Sequence, residues 1–154
     1  MATDAAPQPS TDPMTSDLEV RRVGRISILG LRGRVLSSPE ARVGALHLDV
    51  DRETRHWAAF AAGETIGCVS VMRWRGYVLR GMAVSPDHQR RGIGGLLMRV
   101  VCAEVVAPMW CNARLPSVPF YARMGWVAVG PTFVLEHRGP HQRMTWAGSQ
   151  KCPG

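Results

Sequence analysis

Between Gly81 and Val101 the chain reads GMAVSPDHQRRGIGGLLMRVV: an apolar run, a short polar loop ending in Arg90 and Arg91, glycines at 92, 94 and 95, and a second apolar run. The first turn of a helix presents unpaired N–H groups and the positive end of the helix dipole. Glycine there lets a ligand reach the backbone with no Cβ in the way, and two fixed guanidinium charges stand at the same place. This is chemistry for binding phosphate. The plainer reading, in which the glycines cap and pack a helix and the arginines are solvated, stands beside it. Spacing excludes two phosphate readers. A Walker A loop needs a lysine after its glycines, and the lone lysine of the chain is Lys151. A dinucleotide fingerprint needs a third small residue where Leu97 stands, and a tighter turn after the strand.

The elements that must position this junction follow from hydrophobic period. A chain of 154 residues with 45% hydrophobic and 20% charged residues is one domain with a sizeable core. Residues 1–17, rich in Pro, Ser, Thr and Asp, read as a disordered tail, and 148–154 as a C-terminal tail, leaving 18–147 as the folded part. LEVRRV alternates as a strand does, and ISILGLRGRVL places Ile28, Leu31 and Val35 at helical spacing. The mixed stretch 37–56 reads as loop. WAAFAAG and TIGCVSVMRWR form a hairpin turning at Gly63-Glu64. YVLRGMAV is a strand, and residues 92–106 form a helix with Ile93, Leu96, Leu97, Val100 and Val101 on one face and Pro108 as its stop. MWCNA is a short strand and VPFYARMG a short helix with Gly125 at its end. WVAVGPTFVLEHR and HQRMTW are two last strands.

Gln89-Arg90-Arg91-Gly92-Ile93-Gly94 matches the Q/R-x-x-G-x-G/A pattern of the GCN5-related N-acetyltransferases (GNAT), and MAVSPDHQRRGIGGLLM resembles their strand, loop and helix unit. WCNARLPSVPFYARMGW is similar to that family's second segment, with Phe120, Tyr121, Gly125 and Trp126 in place. The resemblance covers residues 18–146. It implies an α/β three-layer fold with a central, mixed, twisted sheet of about six or seven strands and helices on both faces. It implies acetyl-CoA as acyl donor, held where two parallel strands splay apart.

Position by position, the resemblance assigns the pantetheine arm and thioester carbonyl to the backbone of Met82, Ala83 and Val84. The pyrophosphate falls to Gln89, Arg90, Arg91, Gly92, Ile93, Gly94 and Gly95. Asn112 anchors the pantetheine, and Tyr121 faces the sulfur as general acid. Attack of an amine on a thioester needs donors for the carbonyl and an acid near the leaving thiolate, and a phenol of ordinary pKa about 10 suits a thiolate. The family often carries a glutamate on the strand before the phosphate loop, whereas this strand holds Leu79 and Arg80. The base must come from elsewhere: His56, Glu136, His137 or His141, each of which also fits a strand end or turn. His141 is preferred, because Gly139-Pro140 fixes its backbone where the last strands meet. Ser117 stands where the family usually has alanine, with Pro119 in the first turn of the short helix.

The formal charge of +7 rests almost wholly on arginine. A basic field disfavours strongly cationic acceptors, so a small amine, amino acid or acidic metabolite is the expected acceptor. The alternative functions are a catalytically degenerate acyl-CoA-binding module and a basic nucleic-acid-binding protein, the latter pointing to Arg73-Trp74-Arg75. Neither nucleic acid nor membrane is the expected partner, and a homodimer is the default assembly because closed dimers are commonest. Cys68, Cys102, Cys111 and Cys152 have no C-x-x-C spacing and no neighbouring histidines, so the first three are expected as buried reduced thiols and no metal is expected. No signal peptide or spanning run is legible, which makes a cytoplasmic protein the default.

Overall fold

A computed structural model describes residues 17–36, 53–148 and 152–153. In chain order these form β1 (Glu19–Val23), α1 (Ile26–Val35), β2 (Arg55–Ala61), β3 (Glu64–Arg73) and β4 (Tyr77–Val84). There follow α2 (Ile93–Glu104), β5 (Met109–Arg114), α3 (Val118–Arg123), β6 (Val127–Leu135) and β7 (Gly139–Trp146). Short 3-10 turns at Pro86–His88 and Leu115–Ser117 lead into α2 and α3. Most of the stretch expected as loop, residues 37–52, lies outside the described residues, but Arg55 and His56 at its end already belong to β2. The hairpin between β2 and β3 turns at Ala62-Gly63, both at positive φ, one residue earlier than expected.

The strands form one seven-stranded sheet in the order β1-β2-β3-β4-β5-β7-β6, antiparallel except for β4 beside β5. A crossover through α2 makes that pair parallel, as a strand–helix–strand connection does. Helix α1 packs on one face and α2 on the other, which gives the three layers expected. The larger core lies under α2, where Trp57, Val69, Leu79, Leu97, Met98 and Val101 are buried. The smaller lies under α1, from Ile28, Leu31, Ala58, Cys68 and Ala83.

The buried arc of α2 differs from the expected one. Ile93, Leu97, Met98, Val101 and Cys102 are buried, while Leu96 and Val100 are only partly so. The helix is turned by about a quarter turn, because Met124, Trp126 and the half-buried Cys152 cover its flank beside the sheet. Gly67 on β3 makes this close seat feasible. A Cβ there would lie 3.0 Å from both Ile93 Cγ2 and Leu97 Cδ1.

One irregularity of the sheet matters most. The parallel neighbours β4 and β5 pair only at Tyr77↔Met109 and Val78↔Trp110. Beyond these two rungs β4 runs on to Val84 and β5 to Arg114 without partnering each other. The register of β3 on β4 also slips, from Ser70↔Arg80 to Cys68↔Ala83, with Gly81 at φ +62 in the bulge. The sheet is opened at its centre by these two departures.

Candidate functional site

The opening between β4 and β5 widens into a cavity of about 1200 Å³. Its far end is closed by the β4–α2 junction. Arg90 (φ +62) and Gly92 (φ +81, the N-cap of α2) both take left-handed conformations. Alternating the backbone in this way turns successive N–H groups toward one side, the geometry of an anion-binding nest. Arginine pays about 1–2 kcal/mol for a conformation that glycine takes freely. The Gln89 side chain donates to Val84 O at 3.0 Å and ties the loop back to its strand. Gly94 lies under the aromatic edge of Phe120 and near Met82 Sδ, at 3.4 and 3.8 Å from the place a Cβ would occupy. A side chain there would fill the seam where a ligand must run.

The cavity gathers nearly the whole expected site. Met82, Ala83, Val84, Gln89, Arg90, Gly92, Ile93, Gly94, Gly95, Asn112, Tyr121 and His141 all line it. Arg91 does not; it is exposed beside the loop. Among the expected bases, only His141 reaches the wall. His56 is buried on β2 in contact with Ser70 (Nδ1···Oγ 2.6 Å), and Glu136 and His137 lie exposed in the β6–β7 turn with Oε1 and Nε2 3.5 Å apart.

His141 is 4% exposed, stacked on Phe133 at 6.1 Å between ring centroids. Its Nδ1 lies 2.8 Å from Gly139 O. A carbonyl only accepts, so Nδ1 carries the hydrogen and the neutral ring keeps its lone pair on Nε2. Asn112 is exposed, and its Oδ1 accepts from Arg143 Nε at 2.8 Å. Ser117 is the N-cap residue of α3 with proline in the first turn, as expected, although its hydroxyl makes no capping bond.

Tyr121 is buried on α3, edge-on to Phe120 and Trp126 at 5.3 and 5.4 Å. Its hydroxyl interacts electrostatically with the Cys111 thiol of β5, a partnership that residue types alone do not reveal. Burial pushes the phenol well above its ordinary pKa, and Cys111 raises it further. Burial likewise pushes the Cys111 thiol up to about 12, against smaller opposing effects from Tyr121 and Arg143. Cys111 is therefore a neutral thiol near neutral pH, no nucleophile.

A second polar cluster supports the bulge from beneath. Arg32 of α1, 4% exposed, donates from Nε to Gly81 O at 3.2 Å and from Nη2 to Ser70 Oγ at 2.7 Å. A Cβ on Gly81 would meet the Arg32 guanidinium at 2.5 Å. The sequence did carry a signal for this residue. Ile28, Leu31, Arg32 and Val35 fall at i, i+3, i+4 and i+7, so Arg32 occupies a core position of α1.

The family model of the GNAT acetyltransferase domain matches residues 37–147. The chain belongs to this family. A curated relative, the uncharacterized N-acetyltransferase YitI of Bacillus subtilis, is 32% identical over 69 residues. That match takes in 42% of this chain and spans only about half, 46%, of the relative. Among solved GNAT structures, the ribosomal-protein-S18-alanine N-acetyltransferase of Escherichia coli superposes with a TM-score of 0.71 at 16% identity, over 86% of this chain and 95% of that one. An aminoglycoside 6'-N-acetyltransferase complexed with coenzyme A superposes with 0.70 at 14% identity, over 88% and 99%. At these identities the likeness speaks for the GNAT fold. Among the described residues no helix is long and apolar enough to cross a membrane, and no group of three or more His, Cys, Asp or Glu is placed to hold a metal.

Proposed function

We propose that the protein transfers an acetyl group from acetyl-CoA to a primary amine by direct attack within a ternary complex. One observation carries the reading: β4 and β5 part after two rungs, and the cavity so opened is lined both by a phosphate-type nest and by His141. The bound donor supplies the thioester. In this reading the backbone of Met82 to Val84 holds its pantetheine arm as a strand holds a neighbour, and the N–H groups at the start of α2 take the pyrophosphate.

The amine must lose a proton to become a nucleophile, and His141 Nε2 is the acceptor for it. On the other side of the reacting carbon, the Tyr121 hydroxyl supports the departing thiolate. Its elevated pKa refines that role. A phenol harder to ionise than the thiol it faces acts by donating a hydrogen bond while keeping its proton, so the thiolate leaves stabilised and is protonated afterwards.

Calorimetric titration with acetyl-CoA, followed by thiol release over an amine panel, tests the reading. Saturable one-to-one binding and amine-dependent release are expected. His141→Ala should lower kcat about 10²-fold, the usual worth of a positioned base, with acetyl-CoA affinity unchanged. Tyr121→Phe should lower it also, and full turnover in Tyr121→Phe removes that residue from the mechanism. Binding of acetyl-CoA with no release for any amine would turn the reading to an acyl-CoA-binding module.

A further inference from the structure

Two of the four cysteines meet in the fold, and neither takes part in the transfer reading. Cys102 stands in the last turn of α2, one helical turn after Met98, and both are buried. In a helix the carbonyl of Met98 accepts the N–H of Cys102, which sets that oxygen about 2.9 Å from the Cys102 nitrogen. A helical side chain leans back over the turn before its own Cα, so the Cys102 thiol lies over the turn that carries the Met98 carbonyl. Cys152, far along the chain, arrives at the same turn: its Sγ lies 4.0 Å from Met98 O. It packs, half-buried, against the core cluster that holds Met98, Cys102, Met124 and Trp126. Burial first, and then the neighbouring Cys152 thiol, raise the Cys102 thiol above its ordinary range.

The residue after Cys152 is anchored as well. Pro153 Cδ lies 3.7 Å from the place a Cβ on Gly125 would occupy, between α3 and β6. Residues 152–153 therefore lie across α2 and the end of α3, with the Cys152 sulfur on the helix side. The other two cysteines stand elsewhere: Cys68 in the core under α1, on the opposite face of the sheet, and Cys111 on β5 in the cavity wall.

From this placement we infer that Cys102 and Cys152 are a disulfide-forming site, closed by a small-molecule disulfide and reopened by a thiol. The half-buried Cys152 meets the oxidant first. Its thiolate attacks one sulfur of the small disulfide, the external S–S bond breaks, and one small thiol leaves, taking up the proton that Cys152 released. Cys102 then gives its proton to water, its sulfur attacks the Cys152 sulfur, and the second small thiol leaves protonated. Two protein thiols are oxidised to one disulfide, and one external disulfide is reduced to two thiols. Burial disfavours the Cys102 thiolate, so the second step is the slower one. The cross-link closes a loop of about 50 residues that contains β5, α3, β6 and β7, the elements on one side of the cavity opening, and constrains it in the unfolded chain.

Thiol counting tests this. The folded, full-length protein is incubated with oxidised glutathione, quenched, alkylated with N-ethylmaleimide in denaturant, weighed and peptide-mapped. Two of the four cysteines should escape alkylation, and the map should join the Cys102 peptide to the Cys152 peptide. The thermal midpoint of the oxidised protein should rise by about 5 °C or more and return with dithiothreitol. Cys102→Ala should stop at a glutathione mixed disulfide on Cys152, with no such rise. Cys152→Ser, a change at a half-buried position, should keep its remaining thiols free. Four alkylated cysteines in the parent overturn the inference, as does a mixed disulfide that goes no further or a link between any other pair. A Cys102–Cys152 link that forms equally fast in guanidinium also overturns it, because the fold would then have no part in bringing the sulfurs together.

Discussion

The two faces of the sheet are held by different chemistry. Under α2 the contacts are mainly apolar: Leu97, Met98 and Val101 of the helix lie on Val69, Val71 and Leu79 of the strands, all six at most 2% exposed, and the bond from Trp57 Nε1 to Glu104 stands at the helix end. Under α1 a small apolar core gives way to a buried polar chain, in which Ser70 Oγ accepts from Arg32 and lies 2.6 Å from His56 Nδ1. The first arrangement gives stability without asking for precise angles. The second fixes angles, because a buried guanidinium must keep its acceptors. Arg32 spends one donor on the carbonyl of Gly81, the residue at which β4 bulges, so the α1 face sets the shape of the opening that the α2 face merely roofs.

Paired substitutions can break that comparison. Leu97→Ala should have the largest effect on folding, a loss of about 2–5 kcal/mol by denaturant titration, while the folded fraction binds acetyl-CoA normally. Ser70→Ala removes one acceptor of Arg32 and should cost less, about 1–3 kcal/mol. It should nevertheless lower kcat/KM in the folded protein, although Ser70 does not line the cavity. If Ser70→Ala left turnover intact, the polar chain would be only structural. A smaller contrast separates the two loop arginines. Arg90 lines the cavity and Arg91 does not, so Arg90→Glu should weaken acetyl-CoA about tenfold or more by calorimetry at low salt. Arg91→Glu should act only through screened, longer-range charge, and its effect should fade as salt is raised.

Those paired residues also mark what the sequence could reveal. The nest was legible because glycine at 92, 94 and 95 with flanking arginines is a residue-type signal, and the strand and helix on either side have clear periods. The parting of β4 and β5 has no such signal in its own residues and was expected only through the family resemblance. It depends on how many rungs two strands share, and YVLRGMAV and MWCNAR read equally well as strands paired along their whole length. The turned face of α2 escaped because its apolar residues run nearly all the way round, Ile93 through Cys102, and period alone does not choose among them. Tyr121 was placed by its motif, but its tie to Cys111 joins residues ten apart on different elements. His56 and His141 look alike as strand histidines. One meets Ser70 across a buried ladder, whereas the other turns to a cavity that only the fold creates.

The Tyr121–Cys111 pair gives the smallest of the expected effects, and it appears only in alkali. Both groups have folded pKa values above their unfolded ones, so the native state holds protons that the unfolded chain releases. The associated stability is fully present below the unfolded thiol value of about 8.5 and is lost as pH rises toward the folded one. Cys111, pushed up to about 12, should cost about 1 kcal/mol between pH 8.5 and 9.5, with the phenol adding its own loss above about 10. Thermal midpoints measured across this range should fall in the parent and fall less steeply in Cys111→Ala, where Cys102, a second thiol that burial pushes up, still contributes. Since Cys111 and Tyr121 share the wall of the cavity, bound acetyl-CoA should raise every midpoint by mass action. If it also steepens the alkaline fall, the ligand has buried the pair more deeply; a slope unchanged by ligand would place the sulfur of the donor away from Tyr121.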